Sequence, residues 1–386
     1  MSDALKLVNA AGTLEGYTPG PPVQFEAPTR PFTSRVLFAA AHVVADPRFA
    51  QEPGRPPCLD WEATLRYRHH LWSHGFAVAE AMDTAQRGMG LDWETTRTLI
   101  GQTAADGGGR FAAGAGTDQL PPLSQRRPTL GEIESAYLQQ CEFIEDHGGQ
   151  VILMASRHLA AVAQGARDYE HLYDRVLSRS RQPVILHWLG EMFDPELGGY
   201  WGSHDLDQAA LTVQALIARH AKQVDGIKLS LLDAGREIRF RRGLPPGVRM
   251  YTGDDFHYAE LIQGDASGYS DGLLGIFDAI APAAAAAMLA LERGDPDGYS
   301  ALLAPTVPLS RHIFETPTFN YKAGVVFLAY LNGFQSHFKM IGGLEAARSA
   351  AHLSDLFRLA DRAGLLSDPD LASQRMHDYL NLAGVR

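Results

Sequence analysis

Eight short apolar runs punctuate the chain: Arg35–Ala41, Phe76–Ala81, Arg110–Gly114, Gln150–Ala155, Pro183–Trp188, Asp225–Leu229, Val248–Thr252 and Gly272–Phe277. Each has the length of a strand and is apolar almost throughout, as parallel strands covered on both faces are. Between them lie stretches with helical spacing, among them Trp61 to Ser73, Leu130 to His147 and Leu206 to Ala221. In the first, Trp61, Leu65 and Leu71 are apolar while Arg66, Arg68 and His69 are polar. Strand and helix alternating eight times close into a barrel. The pattern therefore predicts an α/β chain with a (β/α)8 TIM barrel over residues 35–280.

The flanks differ. Residues 1–34 hold Pro19, Pro21, Pro22, Pro28 and Pro31 and predict an irregular arm. Beyond Ala281 the pattern is helical: Pro282–Arg293, Tyr299–Phe314, Tyr321–Phe334 and Leu344–Ala363 each show an apolar face. This predicts a C-terminal helical extension over 281–386, packed on the barrel and able to carry a subunit interface.

Composition narrows the function. With 45 acidic against 34 basic residues, a formal charge of -11, the chain lacks the basic stripe that nucleic acid requires. The one basic cluster, Arg236, Arg239, Arg241 and Arg242, reads as a solvated loop or a helix before a strand. No stretch has the length of apolar chain a membrane span needs, and the start has no signal-peptide pattern. Cys58 and Cys141 are the only cysteines, which points to a reducing compartment. The expectation is a cytoplasmic protein without nucleic-acid or membrane partners.

In such a barrel the chemistry lies at the C-terminal ends of the strands. Lys228 sits late in the sixth run and shares a strand face with Gly226 and Ser230. That places it in the barrel mouth, where desolvation turns an ammonium into a nucleophilic amine. Such an amine forms an imine with an aldehyde or ketone, and the iminium acts as an electron sink. Other strand ends supply Glu80, Asp83, Thr84 and Arg87; Gly114 to Asp118; His187, Trp188 and Glu191; and Gly253 to His257. Glycine loops of this kind let backbone N–H groups approach a ligand.

These segments resemble the dihydrodipicolinate synthase and N-acetylneuraminate lyase superfamily. Val224-Asp225-Gly226-Ile227-Lys228-Leu229-Ser230 is similar to its Gly-Ile-Lys-x-(Ala/Ser) strand, which carries the Schiff-base lysine. Tyr251-Thr252-Gly253-Asp254-Asp255 resembles its Ser-Gly-Asp-Asp segment, and Asp271-Gly272-Leu273-Leu274-Gly275-Ile276 its eighth strand. Ala113-Gly114-Ala115-Gly116-Thr117 resembles the turn after strand three, and Pro183-Val184-Ile185-Leu186-His187 the fifth strand. Pro308-Leu309 through Asn320-Tyr321-Lys322-Ala323-Gly324 resembles the C-terminal helices. The likeness is colinear over roughly residues 35 to 330.

Two departures stand out. The family tyrosine that shuttles protons is replaced by His187, which can work as acid and base near neutral pH. The Gly-Thr-Thr-Gly loop that holds a carboxylate is replaced by Ala81-Met82-Asp83-Thr84-Ala85-Gln86-Arg87-Gly88. There Arg87 offers a bidentate contact to a carboxylate, whereas Asp83 would repel one.

The resemblance implies a class I aldolase, lyase or dehydratase for a keto acid or oxo-sugar, with no cofactor beyond the lysine Schiff base. Lys228 is the nucleophile and His187 the general acid/base. Asp255 and His257 orient hydroxyls, Thr84, Arg87, Thr117 and Ser230 contact the substrate, and Trp188 and Tyr251 wall the pocket. Relatives imply a homodimer or homotetramer. Two alternatives stay open: a divalent-metal aldolase or isomerase using Glu80, Asp83, His187, Glu191, His204, Asp255 and His257, and a non-catalytic small-molecule-binding barrel.

Overall fold

The computed structural model describes residues 5–385. Its centre is a closed barrel of eight parallel strands, each hydrogen-bonded to the next and the last to the first. In order they are β1 (Leu37–Ala40), β2 (Ala77–Glu80), β3 (Phe111–Ala115), β4 (Gln150–Leu153), β5 (Val184–Leu189), β6 (Val224–Ser230), β7 (Arg249–Thr252) and β8 (Asp271–Leu274). All eight predicted runs hold a strand. The eighth run extends too far, because Ile276 already opens a helix, Ile276–Glu292.

Alternation decides which side chains enter the barrel. Phe38, Ala79, Ala112, Ile152, Ile185, Tyr251 and Leu273 form the interior cluster. The intervening residues, such as Val78, Leu186, Ile227 and Leu229, pack outward against the helices. That outer layer is continuous with the C-terminal helices, so barrel and extension share one core. Helices begin where the sequence supplies a side-chain acceptor: Asp60 caps Trp61–Ser73, and Thr129 with Glu132 forms a capping box at Leu130–Asp146.

Three expectations need correction. The stretch 1–34 is not wholly irregular: Lys6–Val8 and Leu14–Gly16 pair as an antiparallel hairpin. Helix Ala350–Arg362 holds it down, with Arg358 reaching the Val8 carbonyl and Glu15, and Asp361 reaching Tyr17. Residues Tyr299–Phe314 form two helices, Pro296–Leu303 and Thr306–Ile313, because Pro305 interrupts the run. The end of the chain adds a helix, Pro369–Leu382, outside the expected set. The basic cluster lies on a short helix, Ala234–Arg242, ahead of β7. Among the described residues no helix is long and apolar enough to cross a membrane.

Candidate active site

Lys228 and His187 face each other across adjacent strands, paired in register on β6 and β5. Both side chains point inward and both residues are buried, 7% and 1% exposed. Gly253 makes the room: a Cβ there would meet the Ser230 hydroxyl oxygen at 2.2 Å and Lys228 Cε at 2.7 Å. Burial pushes the Lys228 ammonium below its ordinary value, while Asp83 and Asp255 pull the other way. His187 is held well below the usual imidazole range by burial and then by Lys228. Its Nε2 lies 3.3 Å from Ser230 Oγ, and its buried Nδ1 has no partner. A neutral imidazole with an open nitrogen next to a depressed lysine is an acid–base pair without competing claims.

Asp255 is buried on the other side of Lys228 and accepts the backbone N–H of Ile276 at 2.9 Å. Burial raises its carboxyl to about 7, against hydrogen bonding and the Lys228 charge. Thr84 is also buried, but its hydroxyl is bound to Tyr321 Oη at 2.8 Å. Tyr321 comes from the C-terminal helix Tyr321–Leu331 and stacks on Phe314 at 4.3 Å. Lys322, next along that helix, is buried, donates to the Phe319 carbonyl at 3.0 Å, and is lowered by burial to about 8. Neither Tyr321 nor Lys322 was singled out for chemistry, since only the fold brings that helix over the barrel mouth.

A cavity of about 420 Å³ opens over the ends of β3, β4 and β5, and of the group just described His187 is the member in its wall. His187 and Asp83 line it, as do Thr117, Ser156 and His158. Thr117 was expected here. Ser156 and His158 were not, although Met154-Ala155-Ser156-Arg157-His158 is the strand-end segment after β4 and could have been read by the rule applied to the other strands.

Other expected residues lie elsewhere. Arg87 touches the cavity, but all five of its donors are engaged: Nε and Nη2 on Asp118, Nη2 on Gln140, and Nη1 on the Ala81 and Gly114 carbonyls. It clamps two loops rather than offering a fork to a substrate. Trp188 points away from the barrel and packs against Phe240. Tyr251 points inward but reaches down, donating to Asp225 at 2.6 Å. His257 is tied to Asp254 at 2.9 Å.

The alternative metal set does not converge. Glu80 faces outward into a buried pair with Arg68, at 2.7 Å, and also accepts from Thr103. Glu191 and His204 stand on the rim, with side chains 60% and 83% exposed. Among the described residues, the one grouping of three metal-type ligands is His312, Glu315 and His352, in the C-terminal extension away from the barrel strands.

The sequence matches the model of a family described as "Protein of unknown function (DUF993)" over residues 5–385. The chain belongs to that family. No curated protein matches the DUF993 chain. Among solved structures it is similar to dihydrodipicolinate synthase from Aquifex aeolicus, with a TM-score of 0.64 and 12% identity over 86% of this chain and 99% of the other. It is also similar to the enzyme of Cyanidioschyzon merolae with lysine bound, TM-score 0.64 and 15% identity over 86% and 99%. A third is 4-hydroxy-tetrahydrodipicolinate synthase from Methylacidiphilum fumariolicum SolV, TM-score 0.63 and 14% identity over 89% and 98%. At these identities the likeness establishes that the DUF993 chain has the dihydrodipicolinate synthase fold.

Proposed function

We propose that this DUF993 protein is a lysine-iminium enzyme, a class I aldolase, lyase or dehydratase acting next to a substrate carbonyl. The observation that carries the reading is the environment of Lys228: a buried amine with a depressed pKa, facing neutral His187 across the strand pair. The fold and the colinear strand-end segments support it.

In this reading the Lys228 amine attacks the carbonyl carbon, and the carbonyl oxygen takes up a proton to give a carbinolamine. Asp255, with a carboxyl near 7, protonates that hydroxyl, which leaves as water and generates the iminium. His187 then takes the proton from a hydroxyl two carbons away. The C–C bond breaks, its electrons pass into the iminium, and the resulting enamine is protonated and hydrolysed to free the lysine. The reverse order forms the bond. The lysine supplies the electron sink itself, so no cofactor is required.

The test is borohydride trapping in the presence of a panel of keto acids and oxo-sugars, followed by intact mass and peptide mapping. The expected outcome is a single adduct on Lys228, lost by at least about a thousandfold in Lys228→Ala. An adduct of equal yield in that variant would overturn the proposal.

A further inference from the structure

The cavity wall over β3 and β4 has a fixed hydrogen-bond polarity. His158 Nε2 lies 3.0 Å from the Pro121 carbonyl, which can only accept, so Nε2 is a donor and, in the tautomer with a single ring proton, Nδ1 is an acceptor. Thr117 Oγ1 lies 3.0 Å from that Nδ1 and must donate to it. Ser156 Oγ lies 2.6 Å from Thr117 Oγ1, whose hydrogen is already used, so Ser156 donates to Thr117. Ser156 Oγ in turn accepts the backbone N–H of Leu159 at 3.1 Å. Every hydrogen in this chain is used within it. What each hydroxyl has left is a lone pair.

Charge points the same way. The cavity is lined by Asp83, Asp118, Asp194 and Glu196 against only Arg87 and Arg157. Arg87 has no donor left, and Arg157 is held by Asp194 at 2.7 Å with Glu196 at 3.6 Å. A carboxylate or phosphate entering here would meet acceptors and four carboxylates, with only the remaining Nη donors of an already paired Arg157 to receive it.

We propose that the reacting carbonyl is carried on an uncharged, polyhydroxylated chain, an oxo-sugar rather than a keto acid, whose hydroxyl protons are received by Thr117, Ser156 and Asp83. This rests on Lys228 forming the iminium and extends that reading to the substrate's distal part. A site built to accept hydroxyl protons rejects a chain lacking them, because its buried acceptors are then left unpaired. The same acceptors and the surplus of carboxylates disfavour an anion by repulsion.

Erythrulose, butanone and pyruvate test this: a hydroxylated ketone, its hydroxyl-free counterpart and a keto acid. Each is trapped on the full-length protein with borohydride, and the yield at Lys228 is normalised to that of a free lysine derivative. The expected result is a yield at least about tenfold higher for erythrulose than for either competitor. Thr117→Val and Ser156→Ala should lower the erythrulose-to-butanone ratio by about tenfold, and Thr117→Ser, which keeps the hydroxyl, should preserve it. Pyruvate trapped in preference to erythrulose, or a ratio indifferent to Thr117→Val, overturns the proposal.

If no carbonyl labels Lys228, saturation-transfer NMR with erythritol separates the two readings. Binding of this polyol that is lost in Thr117→Val upholds the hydroxyl site while the iminium reading falls. Absence of erythritol binding sinks the hydroxyl site as well.

Discussion

Two sectors of the barrel rim use similar side chains in opposite ways. Around β2 and β3 the charges other than Asp83 are closed on one another. Glu80 takes both the Nε and Nη2 of Arg68, and Arg87 saturates Asp118, Gln140 and two carbonyls. Around β5, β6 and β7 the polar groups are equally buried but left open: His187 has a nitrogen with no partner, and Lys228 and Asp255 both titrate away from their ordinary values. A closed pair fixes structure, since removing one member strands the other's charge in a low dielectric. An open group holds a perturbed pKa and is available to a substrate. Burial and residue type do not distinguish these cases; partners do.

The comparison can be broken by substitutions on either side. The largest effect is expected from Arg68→Met, which leaves Glu80 unpaired and should cost about 3–5 kcal/mol of stability. Thermal or urea unfolding would read this, and trapping at Lys228 at low temperature should stay close to wild type. A stability change below about 1 kcal/mol would remove the distinction between the sectors.

Asp255→Asn should leave folding largely intact and slow iminium formation by about a hundredfold. It should also change the pH profile. A carboxyl raised to about 7 donates a proton below that pH and loses this capacity as pH rises through it, so the wild-type rate should fall across neutrality. In the variant that limb should vanish. A profile that keeps it would assign the limb to another group. The smallest effect is expected from Trp188→Phe, next in sequence to His187 but on the outer face. About 1–2 kcal/mol of stability should be lost, with trapping unchanged. A trapping defect there would mean the indole reaches the site after all.

Much of this was legible in the chain. The eight strands follow from continuous apolar runs, and the position of Lys228 follows from strand parity, since Gly226, Lys228 and Ser230 alternate with outward-facing Ile227 and Leu229. The same parity separates Glu80 from Ala79 and Trp188 from His187, and applying it would have kept Glu80 and Trp188 out of the mouth. Arg87 could not be judged that way, because its occupancy depends on Asp118 and Gln140, 31 and 53 residues along. Tyr321 is the most distant case: its partner Thr84 is 237 residues away. No local pattern carries a contact of that separation.

The central claim is that Lys228 is a buried amine of depressed pKa that a small carbonyl can reach. The chain has five lysines: Lys6, Lys222 and Lys339 are exposed, whereas Lys322 is buried like Lys228 and serves as the internal comparison, being tied to the Phe319 carbonyl. Limiting formaldehyde with cyanoborohydride at pH 7 methylates amines in proportion to their unprotonated fraction, and the probe is among the smallest carbonyls. Peptide mapping should find Lys228 modified ahead of Lys6, Lys222 and Lys339. Modification of the three exposed lysines while Lys228 stays untouched would contradict the account.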